Sequence, residues 1–260
     1  MTDEVVILYA VETGVCTITL NRPEKLNAWN AQMETDFRLA VERASADDEV
    51  RAIVVTGAGR GFCAGADLSG GGAPMRAELE PSLDDFAQRY SYLLRSPKPI
   101  VAAINGAAIG VGLCLTLYCD FRYAAEGAKI GTAFARRGLI AEHGAAWLLP
   151  RLMNHMDALD LLFTGRTIEA SEAATMGLVR TLPASGFLEA VTAFARDLAT
   201  NSSPRSMRVI KEQIYTSFRQ TLAEAVTTAD SEQLRSITSD DFREGVSAFL
   251  EKRPPAFSGL

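Results

Sequence analysis

Apart from its carboxylates, this chain has few side chains able to move protons or hold metals. It has two histidines, His143 and His155, and four cysteines, Cys16, Cys63, Cys114 and Cys119, against 32 acidic residues. No two cysteines stand in Cys-x-x-Cys spacing and no His-Glu-x-x-His occurs. Neither a zinc site nor a disulfide framework is expected, so acid–base chemistry must draw chiefly on carboxylates. Two glycine runs offer a second kind of chemistry: Gly57-Ala58-Gly59-Arg60-Gly61 and Gly106-x-x-x-Gly110-x-Gly112. Each reads as a strand led through a turn to a helix N-terminus, where the first N–H groups lack internal partners. One such N–H from each run would make an oxyanion hole for a substrate carbonyl. On spacing alone, tight packing explains the glycines better.

Nucleotide loops fit poorly. Phe62 stands where the third glycine of G-x-G-x-x-G belongs, and no Walker A sequence occurs. The second run is similar to the cofactor turn of short-chain dehydrogenases. It lies mid-chain, however, and residue 127, four after Tyr123, is glycine where that family needs lysine.

The elements that must position these runs alternate along the chain. Residues 5–10 and Val15–Leu20 read as a hairpin turning around Glu12-Thr13-Gly14. Asn30 can cap a helix whose apolar residues Met33, Phe37, Ala40, Val41 and Ala44 recur at helical spacing. An apolar strand over 52–56, a Gly-rich loop over 69–81 and a helix over 83–94 follow. Next come a strand at Ile100–Ile104, a helix entered through glycines, and a strand at 121–124. This alternation predicts an α/β fold with right-handed crossovers. Residues 99–119 carry no charge over a length that could cross a bilayer. Pro99, Asn105-Gly106, Gly110 and Gly112 break that stretch into buried pieces. Beyond Asn201 the pattern is helical: Pro204 opens a helix with Met207, Ile210, Ile214 and Phe218 on one face. The expected division is a core over 1–200 and a helical oligomerisation segment over 201–260.

Composition sets outer limits. At 48% hydrophobic and 22% charged, the chain is of globular type. A net charge of -6 argues against a nucleic-acid partner. The acidic start, Met1-Thr2-Asp3-Glu4, lacks the basic region of a signal peptide. A cytoplasmic protein with no membrane partner is expected.

Several segments together carry a family likeness. They are Asn21-Arg22-Pro23-Glu24-Lys25-Leu26-Asn27-Ala28, Gly61-Phe62-Cys63-Ala64-Gly65-Ala66-Asp67-Leu68 and Lys98-Pro99-Ile100-Val101-Ala102-Ala103-Ile104-Asn105-Gly106. Cys119-Asp120, Leu162-Phe163-Thr164-Gly165, Gly177-Leu178-Val179 and the run from Ser247 to Arg253 follow in order. In their order and spacing they resemble the crotonase superfamily, also called the enoyl-CoA hydratase/isomerase family, over nearly the whole chain. The resemblance implies a spiral of ββα turns, an all-helical C-terminal trimerisation region, and a homotrimer or dimer of trimers. It also implies an acyl-CoA thioester substrate in fatty acid metabolism. Coenzyme A would enter as part of that substrate, with no permanently bound cofactor and no metal. The oxyanion N–H groups carry over to Ala66 and Val111. Lys25, Leu26, Ala28, Ala64, Asp67 and Leu68 would line the coenzyme A path, and Asp67 is expected to cap the helix presenting Ala66. Phe249 and Lys252 would approach the nucleotide end, from a neighbouring subunit.

The likeness fails at two positions. Hydratases of the family hold water between two glutamates, and those positions here are Cys114 and Phe134. Phenylalanine has no proton to exchange, and Cys114 between Leu113 and Leu115 reads as a buried, inert thiol. A third position remains. Glu142 stands where isomerase branches carry a carboxylate and where a dehalogenase branch carries a nucleophilic aspartate. Near Phe134 and Val111, desolvation would suit it to general-base work. His143 would orient Glu142 or close the loop. Three readings stay open: double-bond isomerisation with Glu142 as base, hydration or thioester hydrolysis through Glu142 and water, and a silent acyl-CoA binder.

Overall fold

The computed structural model describes residues 5–69, 86–87 and 89–259. The expected Gly-rich loop lies, past Ser69, outside the described residues, as does most of the first half of the expected 83–94 helix. The chain begins with β1 (Ile7–Glu12), β2 (Val15–Leu20), α1 (Ala31–Ala46), β3 (Ala52–Gly57) and β4 (Gly61–Cys63). It continues through α2 (Tyr92–Arg95), β5 (Ile100–Ile104), β6 (Ala107–Ile109), α3 (Val111–Leu117), β7 (Phe121–Ala125) and β8 (Lys129–Gly131). Then come α4 (Ala145–Leu152), α5 (His155–Thr164), β9 (Thr167–Glu169), α6 (Ala170–Thr175), β10 (Arg180–Leu182) and α7 (Phe187–Asn201). The chain closes with α8 (Pro204–Ser217), α9 (Leu222–Ser236) and α10 (Asp240–Glu251).

Strands separate into two sheets. One has the order β1-β2-β3-β5-β7-β10, antiparallel only between β1 and β2. The other has the order β4-β6-β8-β9, with β9 antiparallel. Each of the pairs β3/β4, β5/β6 and β7/β8 therefore places one strand in each sheet before the chain moves on. This is the expected spiral of ββα turns. The apolar runs in β3 and β5 follow from it, because both faces of the larger sheet are covered. Ala52, Val54, Val101 and Ala103 pack with Phe187, Val191 and Ala195 of α7. Their alternates Ile53, Val55, Ile100 and Ala102 belong to the cluster that includes α1.

Helix α1 matches the sequence pattern closely. Asn30 Oδ1 accepts from Met33 N at 2.8 Å, and Met33, Phe37, Ala40, Val41 and Ala44 are all buried. The hairpin also forms, with β1 running two residues beyond its expected end and both Thr13 and Gly14 left-handed. Three features were not expected. β6 splits the segment after Ile104, because Ala107–Ile109 finds parallel partners in the second sheet. β4 likewise follows the first glycine run, which leads into a strand, not a helix. In the 83–94 segment, the described helix is only Tyr92–Arg95.

Beyond 201 the described chain is helical. Asp120 anchors this segment to the core. Lys211 Nζ donates to Asp120 Oδ2 at 2.8 Å and Tyr215 Oη donates to Asp120 Oδ1 at 2.9 Å, from one face of α8. Asp120 Oδ2 also accepts from Ile100 N at 2.7 Å, and Lys211 reaches the Leu93 and Lys98 carbonyls. The apolar side chains Ile210 and Ile214 remain about half exposed, and Leu222 and Phe249 are each 82% exposed. Among the described residues, no helix is long and apolar enough to cross a membrane, and no cluster of His, Cys, Asp or Glu could hold a metal. Asp120→Ala strands the buried Lys211 ammonium and is expected to cost about 3–5 kcal/mol, read from urea unfolding.

Candidate active site

The two glycine runs meet because β4 and β6 pair in parallel, Gly61 beside Ala107 and Cys63 beside Ala108. The segments leaving those strands therefore emerge side by side. Their approach leaves no room for side chains. A Cβ on Gly112 would lie 2.8 Å from Cys63 Cβ, and one on Gly106 would lie 2.9 Å from Gly61 Cα. Two asparagines bind the turn between them. Asn105 Nδ2 donates to Gly57 O (2.9 Å) and Gly59 O (3.0 Å), and Asn27 Nδ2 donates to Ala58 O (3.0 Å) and Gly61 O (2.8 Å). Gly110, with φ +56°, turns β6 into α3 in a conformation suited to glycine.

At the end of each run an N–H stands without an acceptor among the described residues. Val111 N–H is the first of α3. Ala66 N–H sits where Trp29 bridges this segment through Gly65 O and Asp67 N, leaving Ala66 unused. The donor at Ala66 thus arises at an isolated bridge, whereas the sequence suggested a helix N-terminus.

The segment at 22–28 lies against the 64–67 strip. Leu26 and Asn27 are both left-handed, with φ +51° and +56°, and Ala64 N donates to Leu26 O at 3.0 Å. Arg22, almost fully buried, donates to Ala28 O at 2.5 Å and to Asp67 Oδ2 at 2.8 Å. Lys25 Nζ lies 3.6 Å from the same carboxylate. Ala28 is half-buried, and Leu68 is exposed. So Lys25, Leu26, Ala28, Ala64, Asp67 and Leu68 do form one strip. Within the described residues Asp67 serves as an ion-pair partner, and any helix it was expected to cap would run past Ser69, outside the described residues. Asp67 accepts from both Ser69 N and Ser69 Oγ. Bonds from the Ser69 hydroxyl and N–H, then from Arg22, hold its carboxyl well below the usual carboxylate range.

Glu142, His143 and Gly144 form a loop lying on α3. Cys114 Sγ approaches Glu142 O at 3.8 Å, and Tyr118 Oη donates to His143 O at 2.9 Å. Burial pushes the Cys114 thiol far above its ordinary range, with the charge of Glu142 adding to the effect, so it stays a thiol. Phe134 is buried, and its ring edge lies 4.0 Å from where a Cβ on Gly110 would be. The expected desolvation of Glu142 is not met in the single chain: its side chain is 36% exposed. The loop's backbone, not the carboxylate, is what meets α3.

His143 Nε2 lies 3.8 Å from Glu142 Oε2. Desolvation, followed by the nearby Arg89 charge, pushes the imidazole down to about 4 against the opposing pull of Glu34. It is therefore neutral at pH 7, and the contact with Glu142 is no ion pair there. The ring packs edge-on to Tyr90 with centroids 5.3 Å apart. Tyr90 Oη (3.0 Å) and Trp29 Nε1 (2.7 Å) both donate to Glu34 Oε2. Sequence reasoning missed this Glu34 cluster, together with Arg22 and Tyr118; Glu34 reads there as one more polar residue on α1. Phe249 and Lys252 are not brought to this strip within one chain. Phe249 shares a groove with Phe242, Val246 and Phe257, and Lys252 ends α10 in a left-handed turn.

Spiral ββα turns, with two N–H groups at a glycine notch that have no acceptor among the described residues, define an α/β protein of one particular architecture. The family model described as Enoyl-CoA hydratase/isomerase matches residues 10–259. The chain belongs to this family, within the crotonase superfamily. It is 38% identical to a 1,2-epoxyphenylacetyl-CoA isomerase of Escherichia coli, over 97% of this chain and 98% of that protein. It is 39% identical, with the same coverage, to a protein of Rhodobacter capsulatus named a probable enoyl-CoA hydratase. A crystal structure of a probable enoyl-CoA hydratase/isomerase from Mycobacterium abscessus matches at TM-score 0.89 and 32% identity, covering 98% of this chain and 99% of the other.

The reluctance of folded His143 to take up a proton makes stability depend on pH. The unfolded chain takes up this proton near pH 6.5 and the folded chain only near 4. Stability therefore rises with pH across that window and is lost on acidification, by about 3 kcal/mol. An NMR titration of the His143 ring should show its inflection near pH 4. An inflection near 6.5 would contradict the burial described.

Proposed function

We propose that this protein shifts a double bond within an enoyl-CoA thioester, with Glu142 as the general base. The observation carrying this reading is the pair of side chains at the positions where water-adding relatives are expected to hold glutamates. Cys114 and Phe134 are 1% and 4% exposed, and neither can activate water. A single carboxylate suffices for isomerisation. Glu142 takes a proton from the α or γ carbon, and the electron pair left behind moves into the thioester, whose oxygen becomes an enolate. The N–H groups of Ala66 and Val111 would hold that oxygen. Glu142 then returns the proton at the other end of the allylic unit, so nothing is gained or lost. The Escherichia coli relative is named an isomerase of an epoxide-bearing acyl-CoA, which supports an isomerising acyl-CoA site but does not bear on the allylic shift itself.

Lys25, Leu26, Ala28, Ala64, Asp67 and Leu68 would line the coenzyme A path, with Phe134 beside the acyl group. Coenzyme A comes with the substrate, and no separate cofactor is required. The exposed apolar side chains of the 201–260 segment support its role in a homotrimer or dimer of trimers. A neighbouring subunit would then supply Phe249 and Lys252. Four free, buried cysteines suit a reducing, cytoplasmic setting.

The exposure of Glu142 favours a second reading, in which the same carboxylate activates water for hydration or thioester hydrolysis. Incubating a 2-enoyl-CoA in heavy-oxygen water separates the two: label at the 3-position means hydration. Under the isomerase reading, Glu142→Gln lowers conversion of 3-hexenoyl-CoA to the 2-enoyl isomer by at least about a hundredfold. Wild-type turnover in that variant would remove Glu142 from the chemistry.

A further inference from the structure

Helix α3 carries more than the Val111 N–H. Cys114 lies in α3 and Tyr118, four residues on, is the C-cap that ends it; each reaches a successive carbonyl of the loop that bears Glu142. The Cys114 contact is a weak thiol approach at 3.8 Å, whereas the Tyr118 hydroxyl makes a full hydrogen bond at 2.9 Å. The loop needs such a tie. His143 is left-handed at φ +52°, an uncommon state for a residue with a Cβ, and Gly144 follows at φ +72°. Side-chain volume is absent where the hydroxyl must pass: a Cβ on Gly144 would overlap the Tyr118 Oη. Beyond the loop, Ala145 N donates to Glu142 O at 3.0 Å as α4 begins.

We infer that Tyr118 is a positioning residue for Glu142. Through the His143 carbonyl, its hydroxyl holds the loop to α3, the helix whose first N–H is Val111. The proposed base and one proposed oxyanion donor are then mounted on a single rigid element, which fixes the distance between them. Burial pushes the Tyr118 hydroxyl up to about 12, so it keeps its proton and donates throughout the working range. The inference rests on Glu142 being the base, as proposed above.

The test compares Tyr118→Phe, which removes the hydroxyl and keeps the ring, with Glu142→Gln. Both are measured on 3-hexenoyl-CoA, by isomerisation and by α-proton exchange in heavy water. Tyr118→Phe is expected to lower kcat by about tenfold to a hundredfold, because a small misplacement of a reacting group costs that much. KM should stay within about twofold, since binding along the 25–28 strip is untouched. A purely structural tyrosine would instead leave kcat per folded molecule unchanged. If Glu142→Gln loses both activities while Tyr118→Phe keeps kcat within about twofold, the positioning role is overturned and the base assignment stands. If Glu142→Gln keeps both activities, both assignments fall. Should Tyr118→Phe not fold, Tyr118→Met removes the hydroxyl and fills the site with a flexible apolar side chain. Lowered kcat at unchanged KM then supports the inference, and wild-type kcat overturns it.

Discussion

Everything around the site depends on how closely two strand ends approach. The 57–66 and 105–112 segments run side by side at a spacing that excludes a Cβ at Gly106 and Gly112. Backbone brought this close has carbonyls that cannot pair within regular sheet. Asn27 and Asn105 take up those of Gly57, Ala58, Gly59 and Gly61 with side-chain amides, which meets the requirement that buried polar groups be bonded. The parallel register of β4 on β6 then delivers Ala66 and Val111 at the same edge. If this approach widened, the two N–H groups would separate and α3 would lose its seat on Cys63.

Charged groups inside the molecule are used for placement. Asp120 gathers Lys211, Tyr215 and the Ile100 N–H, and so fixes the C-terminal helices to the strand that enters the second glycine run. Glu34 gathers Trp29 and Tyr90, and Tyr90 supports His143 edge-on. Trp29 in turn accepts Asp67 N and donates to Gly65 O, on either side of Ala66. A carboxylate on α1 thus connects, through aromatic packing, the Ala66 donor with the loop bearing Glu142. Apolar burial alone lacks this directional hold, because hydrophobic contact carries no angular preference.

Much of the local structure was legible in the residues. Asn30 and the apolar positions of α1, the strands at Val15–Leu20 and Ile100–Ile104, and the helix opened by Pro204 all follow from capping, periodicity and proline geometry. These are short-range effects. β4, β6, β8 and β9 were not read, because three-residue strands have no periodicity and exist only through their partners. The first glycine run misled for the same reason: its sequence suits a helix entry, but Gly61–Cys63 finds a ladder partner in β6.

By itself, the sequence determined the family and the kinds of group available for chemistry. These follow from residue identity and order. Only the tertiary structure decided that Asp67 pairs with Arg22, that Glu142 stays partly open to solvent while His143 beside it is less exposed, and that Tyr118 reaches the loop between them. Exposure and pairing are set by segments distant in the chain, here 34, 89–90 and 114–118. No local pattern around residue 142 encodes which of them arrives.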